Sequence, residues 1–295
     1  MVAEAQPTVR NPRADAPIGV FDSGIGGLTV VRALRALLPA ESIIYFGDTA
    51  RVPYGTKSAE TITRFAQQDA RFLVTRGVKL IIVACHSASS AALLELRRSL
   101  MVPVIGVVEP GARALVAATR SSRVAVIGTT ATILSAAYER AIRALRPDIE
   151  VVARATPLLV PMAEEGWGAE TPADSRQSAA DALRTRAAEL VCRYYLGGLV
   201  DENVDALLLG CTHFPLLAGI IARVVGPGIR LVDASQETAR AAAQLLQDKG
   251  LLAPTGPSWL RVYLSDLAPS FEVVGTRFLG APLGEVTRAS VGDGQ

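Results

Sequence analysis

Leu80-Ile81-Ile82-Val83-Ala84-Cys85-His86-Ser87-Ala88-Ser89 and Ala206-Leu207-Leu208-Leu209-Gly210-Cys211-Thr212-His213-Phe214-Pro215 share one plan: an apolar run, a cysteine, then a small polar turn. Apolar runs this short, flanked by helical patterns, read as parallel strands buried on both faces. Ligands of open α/β sheets bind beyond the carboxyl ends of such strands. Each thiol therefore stands where chemistry is expected, once in each half of the chain. Two thiols facing one ligand from opposite sides suit two-base proton transfer.

Working outward, short apolar runs alternate with longer amphipathic segments, the mark of βα units and a mostly parallel sheet flanked by helices. Strand-like runs fall at 18–21, 42–46, 80–84 and 104–108, and a second set at 124–127, 150–154, 206–209 and 230–232. Helical stretches fall at 27–38, 87–100, 132–145, 178–196 and 235–249, with a strand-like 259–263 and a helical 269–279 near the end. The first strand of each set ends in a polar turn, Asp22-Ser23-Gly24 or Gly128-Thr129-Thr130, and the third ends in the cysteine. The spacing is 63 residues from Asp22 to Cys85 and 82 from Thr129 to Cys211, so the repeat is structural, not a tandem sequence repeat. The added length is expected around 164–184, where Gly166, Gly168 and Pro172 indicate an irregular connection.

The expected fold is therefore α/β, with two pseudo-symmetric domains and the active site between them. Residues 17–108 with 217–280 form the first domain and 109–216 the second, with Glu109-Pro110-Gly111 punctuating the boundary. Residues 1–16 are expected to be a disordered extension, neither signal peptide nor anchor, and 281–295 a frayed tail.

The chain has 295 residues, half of them apolar and a fifth charged, which suits a soluble globular protein. A formal net charge of +2 without a basic run gives no support to nucleic-acid binding. No apolar stretch reaches the ~20 residues of a membrane span. Three cysteines in a chain this long are no disulfide framework, so a reducing, cytoplasmic setting is expected.

A buried free cysteine is usually inert, which fits Cys192 inside a helical pattern. Cys85 and Cys211 differ because a polar strand-to-helix turn follows each, and the helix start is expected to lower the thiol pKa. Both histidines of the chain, His86 and His213, adjoin these cysteines. Their spacing lacks the pattern of a zinc site, so no metal is expected. Asp22 and Ser23 begin a turn with Gly24, Gly26 and Gly27; position 29 is Thr, so this is no dinucleotide fingerprint. Asp22 either caps a helix or serves as an auxiliary acid/base or ammonium-binding group. Tyr54 and Gly55, in the loop 47–55, are expected in a pocket wall. Glu164, from the other half, offers a second carboxylate.

Three segments, taken together, resemble the glutamate racemases of the cofactor-independent aspartate/glutamate racemase superfamily. They are Gly19-Val20-Phe21-Asp22-Ser23-Gly24-Ile25-Gly26-Gly27-Leu28-Thr29-Val30, Tyr45 through Gly55, and Gly210-Cys211-Thr212-His213-Phe214-Pro215, with Val107 through Gly111 also similar. The resemblance runs from about 18 to 279. It implies interconversion of L- and D-glutamate for peptidoglycan, with no cofactor. It also implies Cys85 and Cys211 as the two bases, with Asp22 assisting the first, and His213 with Glu164 the second. Ser23, Tyr54, Gly55, His86, Ser87, Thr129, Thr132, Thr212 and His213, with Asp22, would hold the amino acid. One departure stands out: His86-Ser87 replaces the family's usual Asn-Thr. The alternatives are another acidic substrate such as aspartate, a non-catalytic amino-acid-binding protein on the same fold, or a thiol hydrolase. The expected partners are the small-molecule amino acid and, as a homodimer, a second copy of the chain, with neither nucleic acid nor membrane.

Overall fold

The computed structural model describes residues 13–168 and 179–291. Among these residues ten strands form in chain order: β1 (Ile18–Asp22), β2 (Ile43–Gly47), β3 (Leu80–Val83), β4 (Val104–Gly106), β5 (Arg123–Gly128), β6 (Glu150–Ala155), β7 (Ala206–Gly210), β8 (Arg230–Asp233), β9 (Leu260–Leu264) and β10 (Val286–Arg288). They build two sheets, in the orders β10-β9-β2-β1-β3-β4 and β6-β5-β7-β8. Every pairing is parallel. The order β2-β1-β3-β4 recurs as β6-β5-β7-β8, so the two halves are topological copies.

Period-two side-chain alternation explains why these runs are apolar throughout. Ile18, Val20, Leu80, Ile82, Val124, Val126, Ala206 and Leu208 face a core shared between the sheets. Their neighbours in sequence point the other way, Phe21, Ile81 and Val83 into the outer core of the first sheet. Ala125, Ile127, Leu207 and Leu209 enter the outer core of the second. The helices Leu28–Leu37, Val108–Ala118 and Ala234–Asp248 fill the layer between the sheets, contributing Leu34, Leu115 and Leu246 to the shared core. The carboxyl ends of β1, β3, β5 and β7 consequently converge on one cleft.

Four boundaries differ from the sequence reading. Glu109-Pro110-Gly111 is not a break: it lies in the first turn of the helix Val108–Ala118, where proline's missing N–H has no partner to lose. The segment 217–280 divides between the sheets, because β8 pairs with β7, and the chain crosses back only after Asp233. The tail is partly ordered, since β10 pairs with β9 at the sheet edge. The stretch 132–145 is two helices, Thr130–Leu134 and Ala137–Leu145, separated by Ala136 at φ 49°. Ser135 Oγ makes the break by accepting from Ala137 N–H at 3.1 Å. Residues 1–12, 169–178 and 292–295, where disorder, an irregular connection and fraying are expected, lie outside the described residues.

One buried ion pair ties the ends of the chain to the first sheet. Lys79 Nζ sits 2.6 Å from Glu41 Oε2, and both side chains are almost fully buried. Lys79 also donates to Ala14 O, and Glu41 accepts from Ala253 N. Removing one member of such a pair strands the other charge in low dielectric. Lys79→Met should therefore destabilise the fold by about 3 kcal/mol, seen as a lower urea midpoint at unchanged m-value. A midpoint equal to wild type would show that the pair is energetically idle.

Candidate active site

Cys85 and Cys211 line the same cavity, of about 140 Å³, one from each half of the molecule. Parallel strands place them there: β3 ends two residues before Cys85 and β7 one residue before Cys211. Each thiol is nearly buried, at 5% and 6% exposure. Among the described residues, no Lys, Arg, Asp or Glu lines the cavity.

Around Cys85 the thiol form is favoured. Its Sγ caps the helix His86–Ser99 by accepting from Ala88 N–H at 3.5 Å, and donates to Ser23 Oγ at 3.5 Å. The expectation that this helix start lowers the thiol pKa fails at Cys85. Burial, then the neighbouring Asp22 charge, push it up to about 12, outweighing the helix and Ser23. Asp22 Oδ2 accepts from Gly24 and Gly27 N–H, so the carboxylate does organise the glycine turn. Its Oδ1 is buried with no hydrogen-bond partner among the described residues. Burial raises the Asp22 pKa, while the His213 charge and the turn amides pull it down. One Asp22 oxygen therefore holds the glycine turn, and the other has no partner among the described residues.

Around Cys211 a relay is assembled. His213 Nδ1 lies 3.7 Å from Cys211 Sγ and Nε2 lies 2.9 Å from Glu164 Oε1. Burial disfavours the imidazolium, but the bonds and charges of Cys211 and Glu164 prevail and raise His213 to about 10. Phe278 meets the ring edge-on, with centroids 4.9 Å apart, and Arg277 Nη1 donates to Glu164 O at 2.6 Å. The helix Phe271–Leu279 thus packs on the ring and holds the backbone at Glu164. Gly26, in the first half, is what lets this ring come close. A Cβ there would lie 2.6 Å from His213 Nδ1 and 2.5 Å from Thr212 Oγ1.

The halves also join through hydroxyls. Ser87 Oγ bonds Thr129 Oγ1 at 2.9 Å and Thr132 Oγ1 at 3.4 Å, and the two threonines bond each other at 3.0 Å. Gly55 packs so closely on Thr129 that a Cβ would lie 2.7 Å from the threonine Cβ. His86 is buried at the cavity, its ring 6.1 Å from Tyr138, and neither nitrogen has a hydrogen-bond partner among the described residues. Burial, then the His213 charge, depress His86 to about 3, so it is a neutral ring with one donor and one acceptor to offer.

Of the residues expected at the site, Ser23, Tyr54, Gly55, Cys85, His86, Ser87, Thr129, Cys211, Thr212 and His213 line the cavity. Asp22, Glu164 and Thr132 stand behind it, acting on Cys85, His213 and Ser87. The Tyr54 hydroxyl turns away, toward Asp48 and Asp69. Sequence reasoning missed the apolar wall of Val52, Pro53, Pro157, Val160 and Pro161. Its signal was present in the paired prolines just beyond β6, the same carboxyl-end position that identified the thiols.

The sequence profile of the Asp/Glu/hydantoin racemase family matches residues 27–242. The chain is 50% identical over 275 residues to a glutamate racemase of Geobacter metallireducens, covering 93% of this chain and 96% of that one. Its structure is similar to that of a glutamate racemase from Francisella tularensis in complex with D-glutamate, with TM-score 0.84 and 39% identity over 94% of this chain and 98% of that chain. A Thermus thermophilus glutamate racemase in complex with β-chloro-D-alanine matches at TM-score 0.80 and 44% identity, over 95% and 98%.

With only two histidines, the electrostatics can be read directly by ¹⁵N NMR of histidine-labelled protein. Between about pH 5 and 8 one ring should stay neutral and the other charged, neither titrating. Replacing His213 by Asn should delete the charged signal. Two rings titrating near the ordinary histidine value would contradict this account.

Proposed function

Because the chain belongs to the Asp/Glu/hydantoin racemase family, we propose that it is an isomerase interconverting L- and D-glutamate by two-base proton transfer, supplying D-glutamate for peptidoglycan. The observation that carries this reading is the pair of thiols lining one small cavity from opposite halves. At about 140 Å³ the cavity is well below the ~300–1,000 Å³ of drug-sized sites, which fits a molecule of amino-acid size.

Inverting a stereocentre requires a base on one face and an acid on the other. With Nε2–H donated to Glu164, His213 Nδ1 accepts the Cys211 proton, leaving a thiolate beside an imidazolium. That thiolate takes the α-proton. Cys85, held as a thiol, delivers its own proton to the opposite face. In the reverse direction Cys85 must act as base, and the neighbouring Asp22 carboxylate, whose charge already acts on that thiol, supports the reading of Asp22 as its auxiliary acceptor. The hydroxyls of Ser23, Ser87, Thr129 and Thr212 and the neutral His86 ring bind the carboxylates and ammonium, with Thr132 orienting Ser87. Burial of both thiols keeps the carbanionic centre away from water and strengthens each interaction. No step calls for a metal or cofactor.

The setting we propose is the cytoplasm, where Cys85, Cys192 and Cys211, all free thiols, stay reduced. Among the described residues no helix is long and apolar enough to cross a membrane. A homodimer is the proposed assembly. Exposed Leu183, Leu190 and Tyr194 repeat along one face of the helix Ala179–Leu196 and offer apolar surface to a second copy.

The test is optical rotation and α-proton exchange in D₂O with single amino acids. Cys85→Ala and Cys211→Ala should each lower glutamate racemisation at least about 100-fold while the circular dichroism spectrum stays native. Near wild-type racemisation in either variant would sink the two-base scheme, and turnover of aspartate instead of glutamate would reassign the substrate. Glu164→Gln removes a group that raises His213. Since the imidazolium is lost as pH rises through its folded pKa of about 10, the variant should lose activity at lower pH than wild type. An unmoved alkaline limb of the kcat/KM profile would remove Glu164 from the relay.

A further inference from the structure

The loop that walls the cavity is held from below by a buried cluster that the proton-transfer scheme does not use. Asp48 and Asp69 are fully buried, and Arg51 lies between them, its Nε 2.5 Å from Asp48 Oδ2 and its Nη2 2.9 Å from Asp69 Oδ1. The guanidinium stacks on Phe65, 4.1 Å from the ring centroid, and Nη1 donates to Gln68. The Tyr54 hydroxyl contacts both carboxyls, Asp48 Oδ2 at very short range and Asp69 Oδ2 at 2.9 Å. Asp48 Oδ1 accepts from Ser265 Oγ at 2.9 Å, and that hydroxyl accepts from Ala50 N–H at 2.8 Å.

Counting protons makes the two carboxyls unequal. A phenol has one proton, so it can donate to only one of the two oxygens it touches. Two ionised carboxylates would leave Tyr54 Oη facing a second lone pair at 2.9 Å, in a site where an unsatisfied contact is costly. They would also bury two negative charges against one Arg51. Asp48 is surrounded by donors, namely Arg51, Tyr54 and Ser265, so every one of its contacts requires an acceptor. Asp69 receives Arg51 on Oδ1 only, and its Oδ2 is free to donate.

We infer that Asp69 carries a proton and that the chain Asp69 Oδ2–H to Tyr54 Oη–H to Asp48, neutralised by Arg51, is a positioning device for the cavity wall. The cluster is then neutral, with Asp48 and Arg51 as its one ion pair. Burial and the adjacent Asp48 charge both push Asp69 well above the ordinary carboxylate range, while Arg51 and Tyr54 pull the other way and a more distant Asp22 adds to the rise. Its effect at the site is geometric. With the hydroxyl clamped underneath, Tyr54 is fixed in the cavity wall, and Gly55 is held against Thr129 of the opposite half. Arg51, Asp48 and Asp69 are thus positioning residues, acting on the ligand only through the loop 52–56.

The inference rests on the racemase reading for its kinetic readout, and an infrared readout makes it independent of that reading. Asparagine reproduces a protonated aspartic acid at position 69, accepting from Arg51 through Oδ1 and donating to Tyr54 through Nδ2. At position 48 an amide would turn a donor toward other donors. Asp69→Asn should keep the KM for glutamate within about threefold of wild type, whereas Asp48→Asn should raise it about tenfold or more with kcat changed less than about threefold. The wild-type protein should also show the carbonyl stretch of a buried protonated carboxyl in the infrared, and Asp69→Asn should lose it. Equal impairment of the two variants, or the same infrared band in wild type and Asp69→Asn, would overturn the proton assignment. If Asp48→Asn fails to fold, the infrared comparison still decides, and it does so whatever amino acid the protein turns over.

Discussion

The close approach of Gly26 to Thr212 and His213 is the contact on which the site depends. It brings the glycine turn of one half against the thiol-bearing turn of the other at distances no side chain would permit. Thr29 Oγ1, one turn of helix onward, is 3.2 Å from Thr212 O, and Ser235 Oγ donates to Thr29 at 3.3 Å. This seam lies at the carboxyl ends of both sheets, over the shared core. Two buried thiols on separate sheets face one cavity only if the sheets are locked in this register. The Ser87–Thr129–Thr132 hydroxyls and the Gly55–Thr129 contact close the opposite side of the same seam.

Topological symmetry does not extend to the electrostatics. At Cys85 burial and the Asp22 charge favour the protonated thiol against the opposing pull of the Ser23 hydroxyl, while Cys211 is paired with an imidazole backed by a second carboxylate. In the two-base inversion proposed above, this asymmetry would set a starting state with the acid on one face and the base on the other. A site with two equal thiols would begin with both protonated, because an ordinary thiol near pKa ~8.5 is mostly protonated at neutral pH. The cost is that the reverse direction must begin from the other ionisation state. In the proposed scheme that proton is shared with Asp22, which commits one oxygen to the glycine turn and leaves the other without a partner among the described residues.

Much of this was legible in the chain because the signals were local. Short apolar runs ending in a cysteine gave the strand and the cleft position together, and the repeated order of turn and thiol gave the two-sheet plan. Both histidines beside the thiols marked the site, as did the glycines. What escaped was non-local. Which helix carries the chain between sheets, and that β8 completes the second sheet, depend on pairing partners far away in sequence. The thiol pKa was misjudged at Cys85 because a helix start is visible in sequence while burial beside Asp22 is not. Tyr54 was assigned to the pocket by its motif, and only its contacts with Asp48 and Asp69 show which end of the side chain faces the ligand.

His86 shows how the remaining polarity of the site is distributed. A charged ring there would place a second cation beside the His213 imidazolium, in a cavity that must also receive the ammonium of an amino acid. Burial and that neighbouring charge both drive His86 to the neutral form, so the substitution of a ring for the family's usual amide adds bulk without adding charge. A neutral imidazole keeps one donor and one acceptor, which is the amide's capacity reduced by one donor and one acceptor lone pair. Its two nitrogens, with the ring centroid 6.1 Å from that of Tyr138, have no hydrogen-bond partner among the described residues. A ligand that meets both would gain more than one that meets either alone, because the penalty for a buried unsatisfied group falls on the empty site as well as on a mismatched complex.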